Sequence, residues 1–337
     1  MKKIVKTGVM AFGMSGKLFH APFLNEHSGF ELNAVVERTK KKAHLSYPKI
    51  KSYNSVTELL EDPDIELVVI NTPNATHFEF ALKAIQRHKH VLIEKPFTVS
   101  CRQAKQLYEE AKIHNCCVFP FQNRRYDSDY LAVKQVLESG KLGRLTEVHF
   151  RYDRYQYELG SNVSKEEAIK GNGLLYSLGP HLLDAAISLF GTPIKWTKTV
   201  EGFRPNTQID DYAHIHLTYP KGLQVFLTAS LLVAEAQPAF ILNGTRGSFI
   251  KQRADIQEKQ LQDGMKINDP LYGIEELDKK GVLTLLTDEG KKVYEEITSD
   301  PSNYLNLFEN IYQTIREGKP YPIRKKEIMQ QLEILET

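Results

Sequence analysis

Five short apolar runs are spaced through the first 120 residues: Ile4–Met10, Phe30–Glu37, Leu67–Asn71, Val91–Glu94 and Cys117–Pro120. Between them, Ala75–Arg87 and Arg102–His114 carry apolar residues three and four apart, the spacing of an amphipathic helix. Runs that are apolar without alternation suit strands buried on both faces, as happens when helices cover a parallel sheet. The alternation therefore restricts this part of the chain to a helix-flanked parallel sheet. Such sheets bind ligands beyond the carboxyl ends of their strands.

Past about residue 125 the period changes. Helical segments (Ser128–Glu138, Leu182–Phe190) mix with strands that alternate residue by residue. In Tyr212–Tyr219, Ala213, Ile215 and Leu217 share one face with Tyr219, while Tyr212, His214, His216 and Thr218 share the other. Leu223–Leu231 alternates in the same way. This is the pattern of a mainly antiparallel sheet with one buried face. Its second face holds enough aromatic residues to expect a protein partner, most simply another copy of the chain. Residues 251–300 are polar and read as an excursion with little regular core, before a helix over Tyr304–Glu317 and a short one from Lys325. The expected fold is α/β plus α+β. A nucleotide-binding domain would span residues 1–123 and a substrate and oligomerisation domain 124–337. The length of 337 residues suits two domains.

The first run leads into Ala11-Phe12-Gly13-Met14-Ser15-Gly16 and a helix starting near Lys17. This is the place for a G-x-G-x-x-G turn, with alanine at its first position. Gly13 and Gly16 are the glycines that let backbone approach a pyrophosphate and helix pack on strand. The second run ends at Glu37, 21 residues after Gly16, where an acid would accept from a ribose 2′-hydroxyl and repel a 2′-phosphate. Arg38 follows and would attract one. NAD is favoured, with NADP the alternative. The loop Asn71-Thr72-Pro73-Asn74 lies on the same sheet edge, and His77 opens the next helix as either a packing residue or a cofactor contact.

The run Val91–Glu94 ends in Glu94-Lys95-Pro96. An ammonium at that strand exit is well placed to meet a substrate oxygen. Asn123, just past the last strand, is placed to touch nicotinamide or substrate. Arg124, Arg125 and Tyr126 suit either sugar hydroxyls or an inter-domain joint. The segment Arg151–Gly171, with Arg151, Tyr152, Arg154, Tyr155 and Tyr157, offers a hydroxyl-binding wall.

These stretches together resemble the Gfo/Idh/MocA oxidoreductases. The likeness is carried by Phe12-Gly13-Met14-Ser15-Gly16, Phe19-His20-Ala21-Pro22, Asn71-Thr72-Pro73-Asn74 with His77, Glu94-Lys95-Pro96 and Asn123-Arg124-Arg125-Tyr126-Asp127-Ser128. Further on it rests on Gly173–His181 with Asp184, and on Gly244-Thr245-Arg246-Gly247-Ser248-Phe249. The chain looks most like the branch of scyllo-inositol and related sugar dehydrogenases. The resemblance implies a Rossmann domain, then an open-sheet domain that mediates dimers or tetramers. It implies NAD(P)-dependent oxidation of a sugar or cyclitol hydroxyl. It matches Lys95 and His181 to the family's catalytic lysine and histidine, and Asp184 to a substrate-side aspartate. The family commonly has aspartate four residues before the histidine, where this chain has Ser177.

Alcohol oxidation needs a hydride acceptor and a proton acceptor. A neutral imidazole at His181 suits the proton, and cationic Lys95 suits the developing alkoxide. On a helix, Ser177, His181 and Asp184 share a face, so Asp184 is expected to supply the charge that serine lacks. Lys95, Asn123, Arg124, Tyr152 and His181 form the expected substrate wall. Phe12, Met14, Ser15, Thr72, Pro73, Asn74 and Glu94 join the expected cofactor contacts. Redox-neutral glycoside cleavage with bound NAD, and dinucleotide binding with weakened catalysis, are the competing readings.

Composition excludes other classes. Net charge is +2, which gives no bulk attraction to nucleic acid or anionic membrane. No run approaches eighteen apolar residues, so no membrane span is expected. The start, Met1-Lys2-Lys3-Ile4-Val5-Lys6, is too polar for a signal peptide. The three cysteines, Cys101, Cys116 and Cys117, lack metal-type spacing and suit reduced thiols in a cytoplasmic protein. No cluster with chelate spacing points to a metal.

Overall fold

A computed structural model describes residues 3–160 and 163–337. Its first sheet is parallel: β1 (Val5–Val9), β2 (Phe30–Val36), β3 (Lys51–Tyr53), β4 (Leu67–Ile70), β5 (His90–Ile93) and β6 (Val118–Pro120). The strands lie in the order 3-2-1-4-5-6, the doubly wound arrangement of dinucleotide-binding domains. Every residue of β4 is buried, which explains why its sequence shows no alternation. The order reverses between β1 and β4, so the carboxyl ends of those strands flank the crevice. The strands alternate with α1 (Ala21–Glu26), α2 (Ala43–Ser46), α3 (Val56–Glu61), α4 (His77–Gln86) and α5 (Cys101–Ile113). Ser55 and Ser100 cap α3 and α5 by accepting from Glu58 N and Gln103 N, which satisfies donors a helix start leaves orphaned.

After α6 (Ser128–Ser139) comes a sheet of eight strands. They are β7 (Leu145–Asp153), β8 (Lys195–Glu201), β9 (Tyr212–Thr218), β10 (Gln224–Ser230), β11 (Phe240–Gly244), β12 (Gly247–Lys251), β13 (Gly281–Leu286) and β14 (Lys292–Ile297). Only β7 and β10 pair in parallel, and the other neighbours are antiparallel. Between β7 and β8 lie α7 (Val163–Glu166) and α8 (Leu174–Phe190), and α9 (Ile256–Gln262) follows β12. The chain ends in α10 (Leu305–Glu317) and α11 (Lys325–Glu336).

The inner face of this sheet behaves as its alternation predicts. Ala213, Ile215, Leu217 and Tyr219 are all buried and pack with Val148, Phe150 and the apolar side of α8. On the outer face, Phe226 stacks between His149 and His216, at ring separations of 4.9 and 4.5 Å. Residues 251–300 correct the sequence reading, because β13 and β14 extend the sheet by a hairpin. The outer strand β14 is mostly exposed and carries no core pattern to read, while β13 buries Leu283 against the core. The C-terminal helices tie the two sheets together. Leu307, Phe308, Ile311 and Tyr312 of α10 pack beside Val5, Val9, Phe23 and Phe30, while α11 lies against α8 and α5.

Candidate active site

The β1 turn is built by close approach. A Cβ on Gly16 would sit 2.2 Å from the carbonyl oxygen of Ala11, so only glycine fits there. A Cβ on Gly13 would meet nothing within 4 Å, leaving open space in front of the turn. Asn71 clamps the turn from β4: its Nδ2 donates to Ala11 O at 2.7 Å and its Oδ1 accepts from Ala11 N at 3.0 Å. Holding both backbone groups of Ala11 fixes the path that a first glycine would otherwise leave loose. Asn71 was expected to touch cofactor directly, and its amide is instead spent on the turn.

Several other expected contacts are also engaged in holding loops. Glu94 is buried and accepts from Ser15 Oγ at 2.7 Å, and its Oε1 lies 2.9 Å from His20 Nε2. Burial alone would raise its pKa, but the His20 and Ser15 hydrogen bonds with the nearby Lys95 charge hold it down at about 2. His77 is buried with Nδ1 2.8 Å from Pro96 O and Nε2 2.9 Å from Thr72 O. Burial lowers its pKa, so the neutral ring carries one N–H, which donates to one of these two carbonyl oxygens. Asn74 Nδ2 donates to Gly171 O at 2.7 Å, joining the first sheet's loop to the segment before α8. Thr72 Oγ1 pairs with Thr76 Oγ1 at 2.7 Å. Pro73 sets the entry to this turn, and its carbonyl accepts from Thr76 N. Phe12 is half-buried and meets the Tyr47 ring edge-on at 6.2 Å, whereas Met14 is exposed.

Glu37 departs from its expected orientation. Its Oε1 accepts from Lys42 N at 2.7 Å and Ala43 N at 3.1 Å, and its Oε2 accepts from Ser52 Oγ at 2.9 Å. The carboxylate closes its own loop and is 7% exposed. Arg38 beside it is exposed.

Lys95 leaves β5 half-buried and reaches across to α8, where its Nζ donates to the carbonyl of Ser177 at 3.0 Å. Burial lowers its pKa to about 8. Glu94 opposes that shift, while Arg124, Lys165 and Arg154 add to it. His181 follows one turn later on α8 and is buried. Burial, then Lys95, Arg124, Arg253 and Arg154, hold its pKa well below the ordinary value. The ring is therefore neutral at physiological pH and able to take a proton. Its Nδ1 has no hydrogen-bond partner among the described residues. A cation at the exit of β5 and a neutral base on α8 thus lie near enough for the charge of Lys95 to bear on His181.

The acid expected beside His181 goes elsewhere. Asp184 accepts from Arg125 Nε and Nη2, each at 2.7 Å, and from Gln331 Nε2 at 2.7 Å. Ser177 has an exposed side chain, and its part in the site is its backbone carbonyl. Arg124 is held by Asp127, Asp255 and Glu258 and by the Tyr304 hydroxyl, so it anchors the joint between elements. Asn123 is buried at the start of the turn before α6. Tyr152 is buried with a hydroxyl that has no partner among the described residues, and its ring lies 6.2 Å from that of His181 and 3.8 Å beneath the Arg253 guanidinium. Sequence reasoning missed Arg253, Asp129 and Gln331. Arg253 lies in the polar stretch read as irregular, and no local pattern distinguishes any of the three. In the expected wall Arg151–Gly171, which begins within β7, Arg151 pairs with Asp153 while Arg154, Tyr155 and Tyr157 are exposed. Residues 161 and 162 of that wall lie outside the described residues.

The order of the parallel sheet, the open space at Gly13 and the cationic exit of β5 define a dinucleotide-dependent oxidoreductase site. The chain belongs to the Gfo/Idh/MocA oxidoreductase family. A family model described as an NAD-binding Rossmann fold matches residues 5–122, and the GFO/IDH/MocA C-terminal domain matches residues 130–250. The chain is 34% identical to the uncharacterized oxidoreductase YdgJ of Escherichia coli, over 100% of this chain and 96% of the relative. It is 31% identical to scyllo-inositol 2-dehydrogenase (NADP(+)) IolW of Bacillus subtilis, over 99% and 92%. Among solved structures, oxidoreductase YvaA of Bacillus subtilis superposes with a TM-score of 0.94 at 30% identity, covering 100% of this chain and 95% of that one. The residues present fit the nucleotide: Gly13 leaves the turn uncovered and Gly16 permits the tight approach.

Proposed function

We propose that the chain is an NAD(P)-dependent dehydrogenase that oxidises a hydroxyl-bearing carbon of a sugar or cyclitol. The observation that carries the reading is the meeting of Lys95 from β5 with α8, through its 3.0 Å hydrogen bond to Ser177 O, one turn from the neutral base His181. Bound NAD(P) supplies the hydride acceptor. Lys95 donates a hydrogen bond to the reacting oxygen, and its charge stabilises that oxygen as it becomes an alkoxide. His181 takes the hydroxyl proton. Lys95 is the main fixed charge available for this, since Asp184 is committed to Arg125 and Gln331. Tyr152 and Asn123 form the wall beside the reacting carbon. The two units, residues 1–123 and 124–337, divide cofactor binding from substrate binding, and the open face of the second sheet receives another copy of the chain.

The name of the Bacillus relative supports a polyol substrate. The test is a panel of inositols and aldoses with each dinucleotide, followed by absorbance of the reduced cofactor. Turnover of a cyclic polyol or sugar is the expected result. Tight dinucleotide binding with no turnover anywhere on the panel would overturn it.

A further inference from the structure

We propose that a water molecule bound behind His181 links its Nδ1–H to Asp129, which makes Asp129 the positioning residue for the base. The proposal rests on the dehydrogenase reading and deepens its proton step. A ring that takes the substrate proton at Nε2 carries its own hydrogen on Nδ1, and that hydrogen needs an acceptor. The acids of α8 do not provide one. Position 177 holds a serine with an exposed side chain, and Asp184 is taken by Arg125 and Gln331. Nδ1 is enclosed and has no direct partner among the described residues.

The ring lines a cavity of about 10 Å³, room for about one water. Five buried atoms of its lining residues have no partner among the described residues: His181 Nδ1, Tyr152 Oη, Asp129 Oδ1, and the Nε of Arg124 and of Arg253. The guanidinium nitrogens can only donate, whereas the carboxylate oxygen accepts. An anion would be opposed by Asp129 and a cation by the guanidinia. A small neutral molecule that both donates and accepts is the ligand that fits. Asp129 is the fixed end of the link. Its Oδ2 accepts from Ala254 N at 2.9 Å and from Arg253 Nη1 at 3.3 Å, which holds the group and leaves Oδ1 free to accept. Burial raises its pKa, while Arg253 and the Ala254 N–H favour its charged form. The water accepts from Nδ1–H and a guanidinium Nε–H, and it donates to Asp129 Oδ1 and Tyr152 Oη. When His181 takes the substrate proton, the ring's new charge is balanced through this water. No proton moves on to Asp129.

The test begins with the purified full chain. A high-resolution crystal structure should show an ordered water within hydrogen-bond distance of His181 Nδ1. In 15N NMR of histidine-labelled protein, the His181 signal, identified by its loss in His181→Asn, should be that of a neutral ring protonated at Nδ1. D129N keeps the side-chain volume. Because Ala254 N claims the remaining oxygen, the new amide nitrogen turns the cavity's acceptor into a donor. D129N should therefore flip the ring to its Nε2–H form and lower kcat by about tenfold or more, with KM and dinucleotide affinity little changed. A dry cavity, or an Nε2–H ring in the unaltered chain, overturns the proposal, as does D129N with full kcat or with a loss carried by KM alone. If D129N does not fold, the water and the tautomer of the unaltered chain decide. Failure to turn over any polyol would instead remove the dehydrogenase reading, and the water and the tautomer are read without substrate, so the two failures are distinguishable.

Discussion

Two buried carboxylates, one in each half of the site, have opposite fates. Glu94, at the end of β5, meets Ser15, His20 and the charge of Lys95, and it stays ionised far below the ordinary carboxylate range. Asp127, before α6, is as deeply buried and pairs with Arg124, yet its pKa is raised. Burial dominates there, and Asp255 and Asp129 add like charges that Arg124 and the Tyr304 hydroxyl do not offset. On the nucleotide edge Asn71, His77, Glu94 and Glu37 all hold loops, and the frame is largely satisfied, although His20 keeps its Nδ1 without a partner among the described residues. The α8 side is frustrated: His181, Tyr152, Arg124, Arg253 and Asp129 each keep a buried polar atom without a partner among the described residues, and all five line one cavity of about 10 Å³. That space suffices for about one water molecule. Satisfied polar groups fix geometry, whereas unsatisfied ones beside a cavity keep protons and ligands exchangeable.

The sharpest way to break this contrast is to unpair a charge on the α8 side. Asp184→Ala leaves Arg125 without its bidentate partner and should lower unfolding free energy by about 3–5 kcal/mol, read by denaturant titration. A change below about 1 kcal/mol would show that the Arg125 cluster is not a structural anchor. Lys95→Ala should cut turnover by about 10²–10³ while leaving dinucleotide affinity nearly intact, since Lys95 meets α8 rather than the β1 turn. Surviving activity would sink the assignment of the reacting oxygen to Lys95.

Glu94 supplies a pH test of the frame. Its folded pKa is depressed to about 2 from 4.5, so its contribution is present above pH 4.5 and is lost as pH falls toward 2. At about 1.4 kcal/mol per pKa unit, that is on the order of 3 kcal/mol. Glu94→Gln should flatten the loss of stability between pH 4.5 and 2, and an unchanged slope would contradict the frame. A smaller signature concerns Lys95, whose pKa of about 8 places an alkaline limb near that pH on kcat/KM for oxidation. His181 stays neutral well below pH 6.5, so the acid limb lies lower. Ser177→Asp should move the alkaline limb upward and change turnover only a few-fold, because the new carboxylate would favour the charged form of Lys95. A limb that stays in place would show that position 177 does not face Lys95.

Five of the six strands of the first sheet were readable as apolar runs, whereas β3 is three residues long and only partly buried and left no such run. Gly16 and Lys95 could be placed because each follows such a run, and His181 was picked out through the family resemblance rather than from periodicity. The roles of Asn71, Glu37 and Asp184 were not. Their side chains can serve either a ligand or the protein's own backbone, and only three-dimensional neighbours decide which. Asn71 lies 60 residues from the Ala11 groups it clamps, and Asp184 lies 147 from Gln331. The α8 cluster draws on Arg124, Tyr152, His181 and Arg253, which no window of local periodicity joins. The hairpin of β13 and β14 was missed for a different reason: the apolar run of β13 is short and lies in a stretch that is polar overall, and exposed β14 leaves no apolar signature.

The return of α10 to the first sheet has a consequence for biosynthesis. His27 and its partner Glu309 are 282 residues apart, and Phe308 and Tyr312 cover Phe23 and Phe30 from the same helix. Ribosomes add about 5–20 residues per second, so Phe23 and Phe30 wait roughly 14–56 s for that cover. The nascent first unit is born with an oily flank, and residues 1–123 expressed alone should bind a hydrophobic dye and recruit chaperones where the full-length chain does not.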